Sequence, residues 1–265
     1  MATLALEQAR RGRIMSTVVD AAVLAERNLI AYVRIREALF FSSVQPIMFV
    51  LLFRYVFGGA IAVPGHSYVD FLMPGIFVQT VAFGAVGTAI GLAEDLQKGL
   101  VERFRSLPMR RSALLAGRTA ADLVRNVLVL VLMTMVGFLV GFRVHTGVLP
   151  FLAGIGILLI FAYALSWGFS IIGLTAPNSE TAQLMSFPVL FPLTFASSAF
   201  VPVASMPGWL QAFARNQPIT IVVDAVRALV NGGPTADSVI KALIWSVALL
   251  VILPPLAAHR YRRAL

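Results

Sequence analysis

The feature that most restricts the fold is a series of apolar runs, each about 20 residues long, spread along a chain of 265 residues. A helix of that length crosses a hydrocarbon layer of about 30 Å. Backbone polar groups in lipid must be paired within the protein, which leaves helices and closed barrels as the spanning structures. A barrel would show alternating segments of roughly 10 residues, and the sequence has none. Charged residues make up 12% of the chain, about half the proportion of a soluble domain. The chain therefore reads as an all-α polytopic membrane protein.

Six transmembrane helices are expected, over about 38–57, 69–93, 120–141, 148–174, 182–201 and 238–257. Residues 1–14 are polar and read as a mobile N-terminus; residues 15–265 read as one transmembrane domain. Within 15–37, Val18, Ala22, Ala25, Leu29 and Val33 recur at helical spacing beside Arg27, Arg34 and Arg36. That pattern fits an amphipathic helix in the membrane interface, or one packed on protein. Pro46 is expected to kink the first span, and Pro188 and Pro192 to bend the fifth. Gly84, Gly87 and Gly91 line one side of the second span. They read either as a helix-packing seam, within the chain or between subunits, or as glycine tolerated in lipid. Within 206–230, the apolar run at 218–230 is too short and too charged for a span, carrying Asp224 and Arg227. Pro207, Pro218 and the Asn231-Gly232-Gly233-Pro234 stop divide this stretch into two short helices.

Of the 21 basic residues, 16 lie in 1–37, 94–125 and 260–263. The positive-inside rule puts those three segments in the cytoplasm, with both termini, and the helical hairpin at 206–230 outside. The net charge of +9 follows from that bias and does not point to nucleic acid. Cysteine is absent, so no disulfide or thiolate metal site is available. No phosphate-binding G-x-x-x-x-G-K-[ST] loop occurs. Acidic residues and histidines avoid the span centres, which argues against an ion-coupled carrier. No metal-ligand spacing or Ser/His/Asp set is visible, so a stand-alone membrane enzyme is the weaker alternative. The chain looks like a pathway whose energy comes from another subunit.

The place to meet that subunit is Glu94–Arg111, EDLQKGLVERFRSLPMRR, with eight charged residues between two apolar runs. On a helix over 94–107, Leu96, Leu100, Phe104 and Leu107 form one apolar stripe. Lys98, Glu102 and Arg105 fall on another face, and Pro108 ends the helix.

Three stretches carry a family resemblance: EDLQKGLVERFRSLPMRRSALLAGRTAADLVR (94–125), ERNLIAYVRIREALFFSSVQPIMFVLLFRYVFGG (26–59) and SAFVPVASMPGWLQAFARNQPITIVVDAVRAL (198–229). They resemble the coupling-helix region, the interfacial helix with first span, and the extracellular hairpin of type-2 ABC exporter permeases. The actinobacterial daunorubicin/doxorubicin-resistance permease group is similar in particular. The resemblance implies a six-span subunit that pairs with a second copy, as a homodimer, in a bacterial cytoplasmic membrane. It would dock two ATP-binding-cassette ATPase subunits, which hold ATP and Mg; this chain itself would bind no cofactor and no metal. Glu94, Asp95, Lys98, Glu102, Arg103, Phe104 and Arg105 are the implied ATPase contact, flanked by Arg27, Arg34 and Arg36. The first, second and fifth spans would line the cargo path, with Gln79, Phe83, Ser186, Phe187, Phe191 and Phe195 as candidates. The phenylalanine stripe at 187, 191 and 195 fits either a wall for apolar cargo or lipid-facing packing. A drug, antibiotic or lipid-like molecule is the implied cargo, with a polysaccharide or glycolipid as the alternative.

Overall fold

The computed structural model describes residues 36–61, 63, 65, 67–99 and 111–263, and every regular element among them is helical. The helices are α1 (Arg36–Leu51), α2 (Tyr68–Gln97), α3 (Arg111–Leu139), α4 (Val148–Thr175), α5 (Ser179–Phe195), α6 (Gly208–Asn216), α7 (Pro218–Asn231) and α8 (Thr235–Arg263). Four of them, α2, α3, α4 and α8, are long and apolar enough to cross a membrane. Helices α1 and α5 lie where the first and fifth spans are expected, but they are shorter, 16 and 17 residues. Helix α1 continues as a π-helical turn, Leu52–Phe57. The change of register thus comes after Pro46, which α1 carries in its interior. Helix α5 keeps both Pro188 and Pro192 inside it and stops at Phe195, where the chain turns before Val203–Ser205.

Helix α2 is the core. Its most apolar window is 78% buried, against 11% for α8. A helix that is apolar all round and enclosed by protein belongs at the centre of a bundle. Helices α3, α4, α5 and α7 all pack on it. At Gly173 on α4, a Cβ would stand 2.5 Å from the Ala89 carbonyl oxygen of α2, so only glycine permits that approach.

The short pair α6 and α7 explains why 206–230 does not span. Gln217 caps α7 by accepting from the Ile219 N–H, and Pro218 occupies its first turn. Gly232, at φ +92°, ends the helix. Along α7, Ile219, Val222, Val223, Val226 and Val230 are buried. Its polar groups bind the near end of α2. Arg227 donates to the carbonyls of Phe71 (3.2 and 3.1 Å) and Ser198 (2.7 Å), pairs with Asp224 at 2.9 Å, and lies 3.7 Å over the Phe71 ring. Burial pulls the Arg227 guanidinium down to about 10, with Asp224 opposing the shift, so it remains a cation at neutral pH. Asn231 Nδ2 donates to the Asp70 carbonyl at 2.8 Å. The Asp70 carboxylate in turn accepts from Ser67 Oγ (2.7 Å) and the Arg143 N–H (2.9 Å), and lies 3.1 Å from His145 Nε2.

Candidate functional site: a polar cavity and the seam beneath it

A cavity of about 250 Å³ lies among α1, α2, α3 and α5. Each helix lines it with residues at helical spacing, which places them on one face. Helix α2 contributes Gln79, Thr80 and Phe83, and α3 contributes Arg125 and Asn126. Helix α1 contributes Gln45 and Phe49, four apart, and α5 contributes Gln183 and Phe187, also four apart. Gln79, Thr80, Arg125 and Asn126 are buried and form a polar floor. Gln45 and Gln183 are exposed and stand at the mouth. The Gln79 amide oxygen is buried without a hydrogen-bond partner among the described residues.

The floor continues as a polar seam between α2 and α3. Arg125 Nη2 donates to the Gly84 carbonyl at 2.5 Å and lies 3.9 Å from Asp122. The Thr88 hydroxyl donates to Asp122. Toward the end of α2, Arg118 pairs with Asp95 at 2.6 Å. Glycine makes room for these side chains. A Cβ at Gly84 would stand 2.7 Å from Asn126 Oδ1, one at Gly87 would stand 2.7 Å from Arg125 Nη1, and one at Gly91 would overlap the Arg118 guanidinium. The glycine seam on α2 is therefore filled by cationic and amide side chains of the same chain. Of the two sequence readings it is the helix-packing seam, made against α3 of the same chain and filled by side chains.

Gln79, Phe83 and Phe187 are thus brought together at the cavity. The Ser186 hydroxyl is buried and donates to the Ala182 carbonyl at 2.7 Å, within its own helix. Phe191 packs edge-on to Phe83 and Phe187 at 5.7 and 5.5 Å between centroids. Phe195 stacks on Phe191 and Phe200 at 5.3 and 5.2 Å. The stripe is therefore an aromatic stack beginning at the cavity wall and running away from it, with Phe191 and Phe195 exposed on their outer flank.

The docking candidates separate. Glu94 and Lys98 pair at 2.7 Å on an exposed surface. Asp95 is buried and bound to Arg118 of α3. Glu94–Gln97 are the last turn of α2, and Gly99, at φ +64°, closes it. A helix starting at Glu94 and running to Leu107 is corrected on that point, because a left-handed glycine ends a helix. Arg27, Arg34, Glu102, Arg103, Phe104 and Arg105 lie outside the described residues, as does the side chain of Arg36. Sequence reading missed Gln45, Arg125, Asn126 and Gln183 as cavity residues. The Asp122/Arg125 spacing and the glycines facing them were the available signals.

Comparison with known proteins agrees with this architecture. The model of the ABC-2 type transporter family matches residues 20–230. The chain is 36% identical to the daunorubicin resistance ABC transporter permease protein DrrB1 of Streptomyces coeruleorubidus, over 82% of this chain and 77% of that one. It is 28% identical to the probable doxorubicin resistance ABC transporter permease protein DrrC of Mycobacterium tuberculosis, over 83% and 80%. It is 24% identical to the inner membrane transport permease YadH of Escherichia coli K12, over 69% and 73%. With four apolar helices of spanning length around a buried central one, and a family match over most of its length, the chain is a multi-pass membrane protein that belongs to the ABC-2 type transporter family.

Proposed function

We propose that this chain is the permease subunit of an ATP-driven exporter that moves a hydrophobic or amphipathic molecule out of the cell. One observation carries the reading: a cavity with a polar floor and aromatic walls, joined by a buried ion-paired seam to the end of α2. The charged segment that follows α2 is the natural attachment for an ATP-binding-cassette subunit, since the chain has no phosphate loop of its own. In this reading α1 and α5 complete a six-span domain, and α6 and α7 form its extracellular hairpin. Two permease copies and two ATPase copies form the working unit in the bacterial plasma membrane, with both termini cytoplasmic. The relatives named for daunorubicin and doxorubicin resistance make an amphipathic drug the first cargo to try.

The test is co-expression with a candidate ATP-binding-cassette ATPase, followed by reconstitution. ATP-dependent doxorubicin uptake into inverted vesicles is the expected result. Substituting both Arg103→Glu and Arg105→Glu should abolish copurification, since charge reversal in a buried contact costs several kcal/mol. Equal copurification and equal ATPase activity of wild type and double variant would overturn the docking assignment.

A further inference from the structure

We propose that Arg54, at the far end of α1, holds the phosphate of a net-anionic phospholipid resident in the outer leaflet beside the bundle. The residue sits within the π-helical turn Leu52–Phe57. A rise of 1.5 Å per residue puts it about 27 Å beyond Arg36, where α1 begins. That distance is close to the thickness of a hydrocarbon layer, so Arg54 stands at the depth of the lipid phosphates. The choice of leaflet rests on the export reading, which puts this end of α1 outside. The turn has two unlike flanks. Phe53 stacks on Phe200 at 4.5 Å and lies 5.3 Å from Phe57, which ties one flank to the protein. Tyr55 and Val56 are 70% and 64% exposed on the other. The Arg54 guanidinium lies 5.9 Å from the Tyr55 ring, an aromatic of the kind that gathers at a membrane interface.

Arg54 differs from every other Arg or Lys on that side. Arg143 donates to the Phe138 and Phe142 carbonyls, and Arg215 donates to Gln211 Oε1. Arg227 and Lys241 pair with Asp224 and Asp237. Arg54 has no hydrogen bond or ion pair among the described residues, and its Nε is buried with no acceptor there. A buried donor left unmet is costly, and more so on a charged group. The chain has no carboxylate to spare for it. The acids on this side are Asp70, Asp224 and Asp237. Asp70 accepts from Ser67 and Arg143, Asp224 from Ser198 and Arg227, and Asp237 from Lys241. A second copy brings only the same three. The acceptor therefore comes from outside the protein, and at this depth it is the lipid phosphate, whose oxygens match the two-pronged guanidinium. The lipid is net anionic because phosphatidylcholine already carries an ammonium, which would meet the Arg54 charge with no spare acid beside it.

The full chain is placed in phosphatidylcholine nanodiscs doped with phosphatidylglycerol that bears a diazirine on its headgroup. Labelling of the peptide around Leu52–Phe57 is mapped by mass spectrometry after pepsin digestion. The same diazirine on phosphatidylcholine should label that peptide about fivefold less, the effect of one unshared charge at the interface. Arg54→Gln should cut phosphatidylglycerol labelling about tenfold, and Arg54→Lys about threefold, since an ammonium keeps the charge and loses the fork. Arg215→Gln should leave labelling of this peptide unchanged, because Arg215 already has Gln211. If Arg54→Gln fails to fold, Arg54→Lys carries the reading. Equal labelling by the two lipids overturns the proposal, as does labelling unchanged in a folded Arg54→Gln or Arg54→Lys variant. Inorganic phosphate should not compete; competition by it puts a soluble anion at Arg54 and overturns the lipid assignment. The leaflet is read separately. The chain has no cysteine, so Val56→Cys supplies a single thiol, which an impermeant maleimide should label on intact cells. No labelling from outside overturns the outer-leaflet assignment, whatever the nanodiscs show. Neither measurement uses ATP or a drug, so both stand or fall apart from transport.

Discussion

At position 125 a guanidinium lies within the apolar part of the bundle, 8% exposed, and meets a carboxylate that is fully buried. Charges at such depth persist only when paired and hydrogen-bonded. Removing the base alone leaves Asp122 buried against an incomplete environment, which typically costs 3–5 kcal/mol. Arg125→Ala should therefore lower the melting temperature strongly in detergent. The double variant Arg125→Met with Asp122→Asn should recover most of that loss, because replacing both members of a buried pair is often close to neutral. If the double variant is as unstable as the single, the ion pair is not the source of the effect. Asp95 is expected to follow the same logic: Asp95→Ala should destabilise the chain itself before it touches any docking contact, since Arg118 is only 14% exposed.

Among the elements, α2 and α4 meet where Gly173 faces the Ala89 carbonyl. Gly173→Ala forces that contact apart and should cost about 1–3 kcal/mol, the usual range for overpacking. Gly156→Ala on the same helix meets nothing within 4 Å and should be neutral or slightly stabilising by helix propensity. A thermal shift that treats the two alike would refute the close approach. Helix α7 depends on Arg227 in the same local way. Arg227→Met leaves the Phe71 and Ser198 carbonyls without that donor and should destabilise by about 1–3 kcal/mol.

These elements also show what was legible beforehand. Run length alone places α2, α3, α4 and α8, because lipid fixes how many apolar residues a span needs. Proline and glycine mark α6 and α7, because a helix start tolerates the one and a helix end favours the other. The cavity was legible only on one side. The family resemblance pointed to Gln79, Phe83 and Phe187 helix by helix, whereas Arg125 and Gly84 are 41 residues apart and meet only through packing. The burial of Asp95 was hidden for a related reason: charge near a span end looks like surface until its partner on another helix is known.

For the whole molecule, the burial gradient from α2 to α8 sets a problem of timing. The helix that ends as the interior is made early, while α4, α5 and α7, which cover it, follow over the next 130 or so residues. Synthesis at about 5–20 residues per second leaves it uncovered for several seconds or more. During that interval α2 must rest in lipid or in the insertion machinery, and its long apolar run makes this tolerable. Arg118, which pairs with Asp95, and Arg125, which fills the glycine notch, come only with α3. A chain arrested after α3 should then resist degradation far better than one arrested before it. The membrane quality-control proteases would see an exposed acidic span in the second case and a neutralised pair of helices in the first.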